Sequence, residues 1–241
     1  MSWIPHTSFV LAAGLGTRMR PLTDRLPKPL VPVAGRALID HVLNRIAAAG
    51  VPRAVVNVHY LADLIEAHLA TRSSPAITVS DERGLLLDTG GGVAKALPLI
   101  GAGPFLVHNS DSIWHEDGAA NLARLFAALD ATRMDGLLLL AKTSECIGYD
   151  GRGDFDLAAD GRVTRPRKDG SAAYVFTGVS IATPRLMRDA PSGPFSLNHL
   201  WDRALAEGRL FGLVLDGIWM HVGDPKAVLD AERCFTDAKS T

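Results

Sequence analysis

Near the start of the chain two glycines are followed closely by three cations: Gly14 and Gly16, then Arg18, Arg20 and Lys28. A glycine has no Cβ, so backbone N–H groups around it can close on an anion, and the run Leu11-Ala12-Ala13-Gly14-Leu15-Gly16-Thr17 is a candidate phosphate cradle. Pro27 and Pro29 restrict the backbone on both sides of Lys28, so its ammonium reaches a phosphate with little loop entropy left to lose. With Arg18 beside it, the pattern suits a triphosphate. It is not the dinucleotide fingerprint, because Met19 stands at the third glycine position, and it is not a P-loop, which ends in Gly-Lys-Ser/Thr.

Two further places carry chemistry. Asp111 follows the apolar run Phe105–Asn109, and a carboxylate just beyond a strand of an open α/β sheet sits at the ligand edge, where a hard cation would accept it; capping a following helix is its plainer use. Asp88-Thr89-Gly90-Gly91-Gly92 precedes a helical pattern, so its glycines can pack under a flat base while the helix start faces a polar group.

The elements that must position these residues alternate along the chain. Apolar runs at Ser8–Ala13, Ala54–Val58, Ile77–Ser80, Phe105–Asn109 and Gly136–Ala141 predict strands, the first of them central. Between them, Leu38–Ala49, Leu61–Ala70, Gly92–Leu99 and Ala119–Ala131 have helical spacing. The series predicts an α/β fold: a Rossmann-like, mostly parallel mixed sheet with helices on both faces. Beyond Gly148 the texture becomes antiparallel, with Asp154–Leu157, a turn at Asp160-Gly161, Arg162–Arg165 and Tyr174–Ala182. A helix at Leu197–Glu207, strands at Leu210–Leu215 and Trp219–Val222 and a helix at Pro225–Phe235 follow. We therefore expect one domain over residues 1–241, with a nucleotide-binding half at about 1–147 and an acceptor-binding half at about 148–241 that contains a small antiparallel subregion.

Bulk composition excludes several classes. The chain has 241 residues, 47% of them hydrophobic, enough for one sizeable core, and a formal charge of -1 that provides no field for nucleic acid or an anionic membrane. Cys146 and Cys234 have no metal-ligand spacing and read as reduced thiols. Met1–Pro5 lacks a basic segment, and Phe9–Ala13 is too short for a signal, so the expected location is cytoplasmic.

Read together, Gly14–Pro29 as G-x-G-T-R-M-R-P-L-T followed by P-K-P, Asp88–Gly92, Asn109-Ser110-Asp111, Gly151–Phe155 and Phe176–Val179 resemble the signature of the sugar-1-phosphate nucleotidyltransferases. Within that family the short N-acetylmuramate α-1-phosphate uridylyltransferases of cell-wall recycling share the T-G-G-G, G-R-G-D-F and W-x-x-V-G elements. The resemblance implies two small-molecule substrates, UTP and a sugar 1-phosphate, and in-line attack of the sugar phosphate on the α-phosphorus. Arg18, Lys28 and Asp111 would be catalytic; Leu11, Ala12, Ala13, Gly14, Gly16, Thr17, Arg18, Lys28, Asp88, Thr89, Gly90, Gly91 and Asn109 would hold the nucleotide. Asp111, Asp154, Thr177 and Gly178 would face the sugar. The implied cofactor is Mg²⁺ on Asp111 and on a second carboxylate in a late W-x-D-V-G element, but here that element reads Trp219-Met220-His221-Val222-Gly223. Imidazole favours Mn²⁺ over Mg²⁺, so His221 would change the metal preference, weaken the site or leave nucleotide binding alone. Many relatives place a lysine near the sugar phosphate, a charge that Arg165 or Arg167 would have to supply. Alternatives are another base or sugar, such as GTP with mannose 1-phosphate, and a regulatory nucleotide-binding protein without turnover.

Overall fold

The computed structural model describes residues 3–116, 118 and 120–237. The strands are β1 (Thr7–Leu11), β2 (Pro32–Val33), β3 (Arg36–Ala37), β4 (Arg53–Val58), β5 (Ala76–Asp81), β6 (Phe105–Asn109), β7 (Ser112–His115), β8 (Gly136–Lys142), β9 (Asp156–Leu157), β10 (Val163–Thr164), β11 (Tyr174–Ala182), β12 (Leu210–Val214) and β13 (Ile218–His221). The helices are α1 (Leu38–Ala48), α2 (Ala62–Leu69), α3 (Asp88–Ile100), α4 (Asn121–Ala128), α5 (Leu197–Ala206) and α6 (Pro225–Asp237). The predicted helix start at Ala119 lies outside the described residues.

Seven strands form one sheet in the order β12-β8-β11-β6-β1-β4-β5. β6, β1, β4 and β5 are mutually parallel, and β11 runs antiparallel to both of its neighbours, so the sheet is mixed. Its strands alternate between two apolar layers. Val10, Leu106, Leu137 and Leu139 meet α1, α2 and α4 on one face, while Phe9, Val107, Leu138 and Leu140 meet α3 and α5 on the other. Both faces are covered, which is why these strands read as continuous apolar runs in the sequence. Each fully buried side chain of the size of Phe9 or Ile46 contributes about 2–3 kcal/mol by leaving water.

The structure corrects three expectations. The central strand is β6, with β1 beside it, because β11 inserts between β6 and β8 instead of staying in a separate antiparallel unit. The separate antiparallel pairs are β9–β10, β2–β3 and β13–β7. Finally, α3 starts at Asp88, so the glycine run forms its first turns instead of a loop before it. Those turns tolerate glycine because they are buried: a Cβ on Gly90 would lie 2.3 Å from the Phe195 ring, and one on Gly91 2.4 Å from the Gly193 carbonyl oxygen.

Candidate active site

The glycine-rich loop leaves the carboxyl end of β1. Gly16 has φ +64°, and a Cβ there would meet the Lys28 and Thr23 side chains at 3.1 Å, so glycine lets the loop fold down on the lysine stem. Met19, fully buried, anchors the loop in a third apolar cluster with Val31, Ile113, Met220 and Val222, which accounts for a methionine where a dinucleotide site has its third glycine. Lys28 opens a single 3₁₀ turn with Pro29 buried beside it, and its ammonium donates to Asp111 Oδ2.

Asp111 occupies the turn between β6 and β7, where Ser110 N–H donates to the Leu11 carbonyl at 3.0 Å. Burial would raise its carboxyl, but the Lys28 charge and hydrogen bond, with His221 nearby, hold it below the usual carboxylate range. His221 arrives from the far end of the chain. In the β13–β7 ladder it pairs with Ser112, the residue after Asp111. Burial lowers its imidazole pKa; Asp111 opposes that, and Lys28 and Arg18 reinforce it. The ring packs against Trp219 and Tyr149, with centroids 5.6 and 6.4 Å away.

Three cavities adjoin at Asp111. One of about 360 Å³ is lined by Leu11 to Gly14, Gly16, Lys28, Asn57, Asp88, Thr89, Asn109 and Asp111 among others. A second, about 390 Å³, lies over Gly14 to Arg18, Lys28 and Asp111. The third, about 250 Å³, is lined by Arg18, Asn109, Asp111, Asp154, Thr177, Gly178 and His221, together with Ser112, Tyr149 and Trp219. Asp111 lines all three. Gly90 and Gly91 line none of them, and their N–H groups donate to the Phe195 carbonyl at 2.8 and 3.0 Å. Arg165 is also elsewhere: it bonds Asn198 and Asp202 and stacks 4.4 Å over the Phe155 ring. Asp154 Oδ2 accepts the Phe176 N–H at 2.9 Å, and Gly178, at φ +84°, brings backbone against the Asn109 side chain, where a Cβ would meet Nδ2 at 2.7 Å.

Sequence reasoning passed over Asn57, Ser112, Tyr149 and Trp219 as lining residues. Asn57 carried a signal, an amide at the end of the apolar strand run Ala54–Val58. For Tyr149 and Ser112 we find none.

Residues 7–238 match the profile described as nucleotidyl transferase. The chain belongs to this family. An N-acetylmuramate alpha-1-phosphate uridylyltransferase of Caulobacter vibrioides is 52% identical over 99% of this chain and 100% of its own length. One from Neisseria meningitidis serogroup B is 36% identical over 90% of this chain and 92% of its own. A UDP-glucose pyrophosphorylase solved with UDP-glucose has the same fold, with a TM-score of 0.78 at 15% identity, covering 98% of this chain and 100% of that one.

Nucleotidyl transferases generally use divalent metal ions. The residues present fit such an ion in part. Asp111 and His221 line one cavity, but among the described residues no group of three or more His, Cys, Asp or Glu side chains converges, so phosphate oxygens and water would have to complete a six-oxygen or mixed shell. No helix in the described residues is long and apolar enough to cross a membrane.

Proposed function

We propose that this nucleotidyl transferase makes a UDP-sugar and pyrophosphate from UTP and a sugar 1-phosphate, the acceptor being N-acetylmuramate α-1-phosphate, as part of cell-wall recycling. The observation that carries this reading is the meeting of three cavities at Asp111, whose carboxylate pairs with Lys28. The full-length likeness to the Caulobacter vibrioides uridylyltransferase supports the choice of base and sugar.

An oxygen of the sugar phosphate attacks the α-phosphorus, the bond from that phosphorus to the bridging oxygen breaks, and pyrophosphate leaves with the electron pair. Both reactants are anions, so positioning and charge neutralisation dominate the barrier. In this reading the base and ribose lie against Asp88 and Thr89, the phosphates against the N–H groups of Ala13 to Thr17, with the Ala12 N–H held by Asn57, and the sugar against Asp154, Thr177 and Gly178. Gly90 and Gly91 shape the base wall from behind. Lys28 faces both Asp111 and the phosphate cavity, and Arg18 lines the phosphate and sugar cavities, so the two cations bracket the reacting phosphates. Asp111 and His221 would hold Mg²⁺ or Mn²⁺, which when bound supplies neutralisation of phosphate oxygens. Tyr149 and Trp219 offer an apolar wall to the sugar ring.

The test is pyrophosphate release from each of UTP, ATP, GTP and CTP, paired with N-acetylmuramate, N-acetylglucosamine and mannose 1-phosphates. Release that needs UTP and N-acetylmuramate 1-phosphate together is expected. Faster release with GTP and mannose 1-phosphate would replace the base and sugar assignment, and release with no pair would overturn the enzyme assignment.

A further inference from the structure

Glu82, the residue after β5, is 1% exposed, and a carboxylate so buried is costly unless its oxygens are hydrogen-bonded. Both are. Oε1 accepts from Asn57 Nδ2 at 2.8 Å, and Oε2 accepts from the Leu87 N–H at 3.1 Å. Asn57, also 1% exposed, uses its other end to accept the Ala12 N–H at 2.7 Å. A single chain of three hydrogen bonds therefore runs from the phosphate loop, through Asn57 and Glu82, to the residue before Asp88. We propose that Glu82 is a positioning residue, which sets the spacing between the phosphate wall and the base wall of the nucleotide cavity without touching the nucleotide.

The chemistry of the chain is directional. Its two ends are backbone donors, Ala12 N–H and Leu87 N–H, so the pair between them must accept at both ends and exchange one donor in the middle. Asn57 with Glu82 satisfies this, since an amide accepts on one side and donates on the other, and a carboxylate accepts twice. Gly92 belongs to the same device: a Cβ there would lie 2.8 Å from Glu82 Oε1 and 3.0 Å from Asn57 Nδ2, so the last glycine of the run leaves room for the carboxylate under α3. Leu87 in turn accepts the Phe195 N–H at 3.2 Å, which ties the base wall to the segment before α5.

Directionality supplies a test that general damage to the fold does not mimic. Glu82→Gln sets its amide N–H₂ against one of the two donors, and Asn57→Asp sets a carboxylate against Glu82. The double variant, Asn57→Asp with Glu82→Gln, restores every bond with the middle one reversed. The carboxylate introduced at position 57 accepts from Ala12 and from the amide introduced at position 82, whose oxygen accepts from Leu87. The net charge of the pair is unchanged. The inference rests on the uridylyl transfer reading, so UTP affinity is measured by direct titration as well as by turnover. Each single variant is expected to weaken UTP binding and raise its KM about tenfold, the loss of one buried hydrogen bond, while the KM for the sugar 1-phosphate moves by less than about twofold. The double variant is expected to recover to within about threefold of wild type. Singles that bind UTP normally, or a double variant as weak as the two losses combined, would overturn the positioning role. Wild type that binds UTP without turnover would overturn the transfer reading instead, and the titration would still read the relay.

Discussion

Asp111 and Lys28, 83 residues apart in the chain, share a contact where three cavities meet, so single substitutions there should act on chemistry more than on folding. Asp111→Asn keeps the shape and removes the charge. We expect kcat to fall about 10²–10³-fold with the unfolding temperature little changed; a loss below about threefold, measured as pyrophosphate release, would remove Asp111 from the reaction. His221 sets a second expectation. With an imidazole beside Asp111, Mn²⁺ should support faster turnover than Mg²⁺, and His221→Asp should reverse that order. If the order of the two metals is the same in wild type and variant, His221 is not a ligand.

Among the elements, β11 has the most demanding backbone near the site. Its ladder with β8 breaks register between Phe176 and Ser180, and inside that irregularity Gly178 adopts φ +84° against Asn109. Gly178→Ala would meet both a strained backbone and a 2.7 Å clash, at a cost of about 1–3 kcal/mol. A lowered unfolding temperature is the expected result, with a raised KM for the sugar phosphate, because Asn109 lines the cavity proposed for the sugar. An unchanged unfolding temperature would show that this turn relaxes freely. The start of α3 has the same character, since Gly91 faces a backbone carbonyl that cannot rotate away as a side chain does.

At the scale of the whole molecule, acid stability depends on a group remote from solvent. His108 on β6 is fully buried and stacks on Trp114, which also packs against the Arg45 guanidinium of α1, 3.8 Å from the ring centroid. Burial pushes the imidazole down to about 3; the bond to the Asn109 carbonyl and the charge of Asp111 oppose the shift, and Arg45 adds to it. The folded value lies below the unfolded one of about 6.5, so the unfolded chain binds the extra proton first. Stability is then untouched above pH 6.5 and falls as pH drops from about 6.5 toward 3, by up to about 1.4 kcal/mol per pH unit from this group. His108→Phe should flatten that part of the denaturation profile. A profile of the same slope in the variant would assign acid sensitivity to other groups.

Local pattern was enough for much of this molecule. Strands buried on both faces are mostly apolar, and so Phe105–Asn109 and Tyr174–Ala182 were legible with their observed bounds. The loop proposed to hold phosphate has its glycines and cations close together in sequence, and so Gly14, Gly16, Arg18 and Lys28 stood out. What sequence could not decide was pairing between distant segments, because a hydrogen-bonded ladder depends on register in space and leaves no trace in spacing. The insertion of β11 beside β6, the meeting of β7 with β13 that brings His221 next to Asp111, and the position of Phe195 behind Gly90 all belong to that class. Glu82 illustrates the limit best. Along the chain it is one acid among charged neighbours, Asp81 and Arg83, and only the folded sheet, by burying it between Asn57 and Leu87, makes its two oxygens the acceptors that join both walls of the cavity.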